Sequence, residues 1–371
     1  MLSQSLQNIH TISSRSCSTK QSLCSKMIYS ALKLIMSFLI LGLLCPAYSF
    51  VHNAWSNTAR NSPLPGTKTS RKHATLKMVE PSDITIMMNG LPGAMGKEVA
   101  AACIRRGFKI APYAFTGPEI EEDSCMINDL EGGPMTEVKL IKGPTNEEAE
   151  KTCDGIIAGL KAAVGDFLIC IDYTHPTAVN CNGDFYAKNQ MNFVMGTTGG
   201  DREKLTSVTE EGGAYAIIAP NMAKQIVALQ AGLNDMSTNY PGAFKGYDLS
   251  IDESHQSTKA DTSGTAKAVS QSLATLNAKP FNLKEINMIR ETSEQLDFGV
   301  PEEYLKGHAY HTYSLKSADG TVEFQFRHNV NGRRIYAEGT ADAVEFLAKQ
   351  IAAKTEKKVY NMIDVLKLGG L

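Results

Sequence analysis

The chain has 371 residues, room for two domains once a leader is set aside, and a net charge of -2. No basic stripe runs through its globular part, which argues against a nucleic-acid partner. Of eight cysteines none forms a C-x-x-C pair, and Cys103, Cys125, Cys153, Cys170 and Cys181, the ones outside the leader, are odd in number and scattered. That usage fits reduced thiols, not a disulfide framework.

Residues 1–78 hold no acidic residue and are rich in Ser, Thr, Asn and Lys. The apolar run Leu34–Cys45 follows Lys26 and Lys33 and precedes Ala47-Tyr48-Ser49. It is short for a membrane span and has the form of a signal-peptide core, with small residues at the positions a signal peptidase reads. Phe50 then heads a second basic, acid-free stretch reaching Lys77, of transit-peptide composition. Residues 1–49 as signal peptide and 50–78 as plastid transit peptide together resemble the bipartite presequence of algae with secondary plastids. The implied address is the plastid stroma. The competing reading is a signal-anchor, and the long stretch before the apolar run makes Met27 a second candidate start.

Ile84–Met88 reads as a buried strand running into Gly90, Gly93 and Gly96, followed by a helix with Val99, Ala100, Cys103 and Ile104 on its apolar face. Strand, Gly-x-x-Gly-x-x-Gly and helix form the dinucleotide-binding context. Gly90 permits the turn, Gly93 lets the backbone approach a pyrophosphate, with Ala94 and Met95 beside it, and Gly96 lets helix and strand pack closely. The second strand, Phe108–Phe115, ends at Thr116 with no Asp or Glu to hold a ribose 2′-hydroxyl. NADPH is therefore the expected cofactor, with NADH also accepted, and Arg105 or Arg106 is the candidate partner of a 2′-phosphate.

Next come a helix over Asp154–Ala163 and three buried strands, Asp166–Ile171, Phe193–Met195 and Ala214–Ala219. They end in Asp172-Tyr173-Thr174, Gly196-Thr197-Thr198 and Pro220-Asn221-Met222. Ligands of open α/β sheets sit at the carboxyl ends of strands, so these loops are the expected cofactor rim. His175, on the same rim before Pro176, reads as a loop residue.

From Tyr247 the pattern alternates, over Tyr247–Ile251, Ile286–Ile289, His308–Leu315 and Val322–Phe326, with Asp319-Gly320 as a hairpin signal. An antiparallel or mixed sheet with one covered face follows, whose open side suits self-association. His308, His311 and His328 read as surface histidines without metal-ligand partners, so no metal is expected. The tail from Thr340 is helical again and should fold back on the first half. The expected divisions are a dinucleotide-binding domain over 82–225, a substrate-binding and oligomerisation domain over 226–335, and a C-terminal helical segment over 336–371. The expected class is α/β, a Rossmann-type domain followed by an α+β domain with an open mixed sheet.

The chemistry-bearing stretch is Glu253–Ala266, ESHQSTKADTSGTA. It places His255 and Lys259 just before Thr262-Ser263-Gly264-Thr265, which opens an apolar-periodic helix. A helix start leaves backbone N–H groups unpaired and, with the helix dipole, seats an anion. The competing reading is an ordinary N-cap preceded by solvated polar residues.

The NG-x-x-G-x-M-G turn, the DYTHP, VMGTTG and APNMA loops, ESHQSTKADTSGTA and RRIYAEGTADAV stand in the order found in dihydrodipicolinate reductases. Residues 82–371 resemble the plant and algal branch of that family. The resemblance implies NADPH- or NADH-dependent reduction of 4-hydroxy-tetrahydrodipicolinate, on the diaminopimelate route to lysine, by a homo-oligomer, dimer or tetramer. It implies a soluble mature form and a cyclic dicarboxylate as substrate. By the same resemblance His255 is the candidate acid, Lys259 a substrate-binding lysine and candidate proton donor, and Ser263, Gly264 and Thr265 the carboxylate cradle. Gly196, Thr197 and Thr198 match the loop between nicotinamide and substrate. Gln256-Ser257-Thr258 replaces a basic run of the bacterial pattern, and the spacer before Ser263 is one residue shorter and lacks a Pro. Lys259 must then supply more of the positive charge, and Gln256 stands where bacteria have a second His. The rivals are another two-domain dehydrogenase, of the aspartate or sugar type, and a non-catalytic NADPH sensor.

Overall fold

The computed structural model describes residues 78–369. The expected presequence boundaries and the alternative start at Met27 lie outside the described residues. β1 (Thr85–Asn89) is buried throughout and feeds the glycine turn and α1 (Ala94–Arg105). The second expected strand is two strands. β2 (Lys109–Ile110) pairs with β1, whereas β3 (Tyr113–Thr116) leaves for another sheet. Pro112 sits at the break and has no N–H to give a ladder. β4 (Ser124–Ile127) and β5 (Thr136–Lys142) complete a three-stranded sheet of order β3-β5-β4, which the sequence patterns did not indicate.

α2 (Glu147–Val164) starts earlier than expected because Asn146 caps it, its side chain accepting from the Ala149 N–H. β6 (Leu168–Asp172), α3 (Val179–Lys188), β7 (Asn192–Met195), α4 (Arg202–Gly212) and β8 (Ala216–Ile218) follow in alternation. After α5 (Lys224–Asn239) come β9 (Tyr247–His255), α6 (Gly264–Asn277), β10 (Asn287–Ile289), the short α7 (Thr292–Asp297), β11 (His308–Ser317) and β12 (Glu323–Asn331). The tail forms α8 (Arg334–Ala353), β13 (Val359–Tyr360) and α9 (Met362–Leu368).

The first sheet is parallel, in the order β13-β8-β7-β6-β1-β2. The chain leaves β1 to one side for β2 and later to the other for β6, so its direction reverses beside β1, where such sheets bind ligands. Asn89, Asp172, Met195 and Ile218 are successive register partners, so four strands end level. The tail does fold back. Val344, Phe346 and Leu347 of α8 join Val99, Ala100 and Cys103 of α1 in one core, and β13 extends the sheet edge. The segment is not helical throughout, because Val359 and Tyr360 pair with β8.

The second sheet is mixed, in the order β10-β9-β11-β12, with β10 parallel to β9. Ile251, Tyr313 and Leu315 on one face pack against Val269 and Leu273 of α6 and Leu233 of α5. The five described cysteines are free thiols. Burial pushes Cys103 up to about 12 and Cys153 to about 11, so both stay protonated. Among the described residues, no helix is long and apolar enough to cross a membrane.

Candidate functional site

The glycine turn is built by close approach. Gly90 has φ 108, and a Cβ there would lie 2.4 Å from the Tyr173 carbonyl oxygen. Cβ atoms on Gly93 or Gly96 would each stand 2.8 Å from the Gly90 carbonyl oxygen. Gly93 caps α1 and, with Ala94, is exposed, while Met95 is half-buried and Gly96 buried. The turn therefore presents bare backbone at a helix start, a surface suited to a pyrophosphate.

The three rim loops stand together at the level strand ends. Asp172 is fully buried, and its carboxylate is taken up by the loops themselves. One oxygen accepts from the Thr174 N–H (3.0 Å), the Thr174 hydroxyl (2.8 Å) and the Thr197 hydroxyl (2.7 Å). The other accepts from Asn182 (2.9 Å) and Tyr186 (2.7 Å). Asn89 donates to the Tyr186 hydroxyl (2.9 Å), and its side-chain oxygen accepts from the Phe115 N–H (2.7 Å). The Asp172 carboxylate, expected to face the cofactor, thus fastens the loops after β6 and β7 to α3, and through Tyr186 and Asn89 links to the end of β1 and to β3. The Tyr173 hydroxyl bonds Thr340 of α8 at 2.7 Å, and a Cβ on Gly196 would strike the Tyr173 ring at 2.3 Å. A Cβ on Gly339 would stand 1.7 Å from the Met222 carbonyl oxygen, so α8 also supports the Pro220-Asn221-Met222 loop from beneath. Thr198 is exposed and Thr197 is buried, its carbonyl accepting from Arg202.

Arg105 and Arg106 do not serve the rim. Arg105 binds Glu338 (2.9 Å), and Arg106 binds Glu338, Asp342 and Glu345 (3.2, 2.9 and 3.0 Å), holding α1 to α8. They stand at the carboxyl end of α1, the end away from the glycine turn. The cation beside Thr116 is Lys142, its register partner across β3 and β5. His175 is exposed and caps a short 3-10 turn, as a loop residue does.

At the substrate end, β9 finishes at His255, and Ser263 caps α6. The Ser263 hydroxyl accepts from the Thr265 and Ala266 N–H groups (3.2 and 3.5 Å), so part of the expected anion seat is already capped. The Ser263 N–H is given to Glu253 (3.0 Å), which leaves exposed Gly264 and the Thr265 side chain at the open helix end. Thr265 accepts from Asn221 at 3.3 Å, joining the third rim loop to the cradle. Lys259 Nζ pairs with exposed Asp261 at 2.5 Å, and Gln256 is half-buried.

Glu253, which opens the chemistry-bearing stretch, has a structural part that its sequence position does not show. It is fully buried, pairs with Arg290 at 2.6 Å and holds the Ser263 amide. Arg290 also donates to the Lys259 carbonyl (2.8 Å), pinning the loop that carries the lysine. The i, i+2 spacing of Glu253 and His255 on a strand signals one face; Arg290, distant in sequence, gave no signal. The histidines expected at the surface are buried, His308 at 4% and His311 at 2% exposed, while His328 is half-buried. β11 lies between β9 and β12, so its side chains are flanked on both sides. His308 is satisfied by Ser254 (2.8 Å) and the Tyr304 carbonyl (3.0 Å). Burial, with Arg290 and Lys259 adding repulsion, holds the His255 imidazole down to about 3.

Family models described as dihydrodipicolinate reductase N-terminus and C-terminus match residues 84–222 and 227–366. The chain is 46% identical over 293 residues to the Arabidopsis thaliana protein named 4-hydroxy-tetrahydrodipicolinate reductase 2, chloroplastic, covering 78% of each chain. It is 44% identical over 287 residues to a probable chloroplastic 4-hydroxy-tetrahydrodipicolinate reductase 1 of Oryza sativa subsp. japonica, covering 77% of this chain and 79% of that one. Among solved structures, a dipicolinate-bound dihydrodipicolinate reductase from Paenisporosarcina sp. TG-14 is similar at TM-score 0.49 and 20% identity, covering 75% of this chain and 97% of that one.

Proposed function

The chain belongs to the dihydrodipicolinate reductase family, and from that premise we propose how its residues divide the work. It is an NAD(P)H-dependent oxidoreductase that reduces 4-hydroxy-tetrahydrodipicolinate on the diaminopimelate route to lysine. The reduced nicotinamide supplies the hydride when bound. The bare turn at Gly90–Gly96, where a Cβ on Gly93 or Gly96 would crowd the Gly90 carbonyl, fits the pyrophosphate. Lys142, beside an acid-free Thr116, offers a charge partner to a 2′-phosphate, which supports use of NADPH.

The observation that carries the division is the Asn221–Thr265 hydrogen bond, which ties the cofactor rim to the cradle. The Lys259 ammonium exchanges exposed Asp261 for a substrate carboxylate and offsets its charge. Thr265 and the Gly264 end of α6 take the other carboxylate. The 4-hydroxyl leaves as water to give the conjugated ring that takes the hydride; His255, held neutral by burial, orients a water rather than storing a proton, and that water or Lys259 protonates this ring.

Assembly and address complete the proposal. Val322 and Phe324 are exposed at 41% and 44% beside the mixed sheet's open edge strand, which supports a homo-oligomer, dimer or tetramer. The acid-free leader supports import into the plastid stroma by a bipartite presequence, which a fluorescent fusion of residues 1–80 with and without Phe50→Ala tests.

A coupled assay with dihydrodipicolinate synthase, run with NADPH and NADH in parallel, tests the reaction. Cofactor oxidation dependent on the cyclic substrate is expected. Cofactor binding with no turnover would establish a sensor instead.

A further inference from the structure

The floor of the substrate half carries more chemistry than the reduction uses. Glu253, His255 and His311 each offer one ligand atom, and these atoms lie within 4.8 Å of one another. The strand register explains the grouping. Glu253 and His311 are direct partners across β9 and β11, and His255 stands two residues along the same face. The three side chains come from the middle of a four-stranded sheet, on the face that Ile251, Tyr313 and α6 close.

The second observation is the hydrogen bonding. Nε2 of His255 and both ring nitrogens of His311 are buried without a protein partner. Each buried polar group left unpaired costs about 1–3 kcal/mol, a large cost to concentrate in one place. Nε2 of His311 lies 3.8 Å from Oε2 of Glu253, too far for a hydrogen bond. A ring nitrogen with no protein partner can turn a lone pair toward a metal ion. His328 stacks on His311 at 4.6 Å but contributes no atom to the group.

The nearby cations oppose a metal ion, yet each is matched. Arg290 is paired with the other oxygen of Glu253 at 2.6 Å, and Lys259 with Asp261 at 2.5 Å. Two neutral imidazoles and one carboxylate form a donor set favoured by zinc-class ions, which take bonds of about 2.0–2.1 Å. Those bonds bring ligand atoms to roughly 3.3 Å apart in a tetrahedral site.

We propose that Glu253, His255 and His311 form a binding site for a borderline divalent transition metal of the zinc class. Three protein ligands leave a fourth position open. Metal occupancy takes the His255 imidazole, so it inhibits the reductase; this last clause rests on the role given to His255 above.

The test is a titration of the metal-stripped full-length chain with Co²⁺, followed by visible absorption. The expected result is a tetrahedral Co²⁺ spectrum at one ion per chain, reversed by Zn²⁺ and lost in His311→Gln. Leader cysteines can bind cobalt as well, so the signal read is the difference between wild type and variant. Circular dichroism checks the variant's fold. Should His311→Gln not fold, His255→Gln is read in the same way. A spectrum that persists in a folded variant, or its absence from wild type, overturns the site. Inhibition by Zn²⁺ in the coupled assay is a separate readout. Cobalt binding without inhibition would keep the metal site and refute only the proposed role of His255.

Discussion

The two ends of the site are finished to different degrees. At the cofactor rim, Asp172 collects hydrogen bonds from Thr174, Thr197, Asn182 and Tyr186, and the surrounding loops leave it nothing to give a ligand. At the substrate floor, an equally buried group of side chains keeps ring nitrogens of His255 and His311 unpaired. The rim is a shaped surface whose polar groups are spent on holding its shape. The proposed floor holds ring nitrogens that no protein group partners. Shape at one end and chemistry at the other follow from what each end must recognise. A pyrophosphate needs bare backbone amides, whereas a dicarboxylate and a proton transfer need side chains.

That contrast breaks most sharply at Gly93→Val. A side chain whose Cβ stands 2.8 Å from the Gly90 oxygen must deform the turn. With overpacking alone costing about 1–3 kcal/mol, a rise of at least about fivefold in the Kd for NADPH is expected in a folded protein, read by fluorescence titration. Normal NADPH binding would show that the turn is structural only.

Lys259→Ala addresses the floor. Loss of a hydrogen bond between charged groups, about 1.5–3 kcal/mol, should lower kcat/KM by roughly 10- to 150-fold, with KM raised and kcat lowered. NADPH affinity should stay nearly unchanged, and steady-state kinetics beside cofactor titration separates the two. Unchanged turnover would move the substrate site elsewhere.

Tyr186→Phe asks whether the rim is as finished as its hydrogen bonds suggest. Removing that hydroxyl deprives the fully buried Asp172 of a donor, at a cost of about 1–3 kcal/mol in stability by denaturant titration. The substrate KM should move less than the KM for NADPH. The reverse order would tie Asp172 to the floor.

Lys142→Ala should weaken NADPH relative to NADH by a few-fold, the scale of an exposed charge contact of about 0.2–1 kcal/mol. Equal effects on both cofactors would remove Lys142 from the 2′-phosphate.

The smallest effect concerns acid. Burial raises the Glu338 carboxyl, but hydrogen bonds from Arg105 and Arg106 outweigh it and hold the group below its ordinary value. A carboxylate lowered in the folded state stabilises above its unfolded pKa, and the contribution is lost as pH falls through the folded pKa. Glu338→Gln should therefore narrow the stability difference between neutral pH and pH values below about 4. Partial exposure of the pair limits this to under about 1 kcal/mol.

Much of this molecule was legible in one dimension. The glycine turn, the rim loops and the Ser-capped helix after Lys259 are local patterns, in which a few adjacent residues dictate a turn or a cap whatever surrounds them. The resemblance of ESHQSTKADTSGTA marked one neighbourhood for the same reason, since His255, Lys259 and the proposed cradle lie close together in the chain. Tertiary structure decided which neighbours those groups meet. Pro112 divides an apparent single strand between two sheets, and β13 leaves a helical tail to close a sheet edge, because pairing partners lie far off along the chain. Alternation along β11 could not show that His311 is buried, since burial there comes from strands on both sides and a helix above. Arg105 and Arg106 turned to α8, and Arg290 reached Glu253, across separations that no local spacing encodes. Side-chain type and local turns are properties of the sequence; charge pairing and burial, which set whether a group is free to act, are properties of the packed fold.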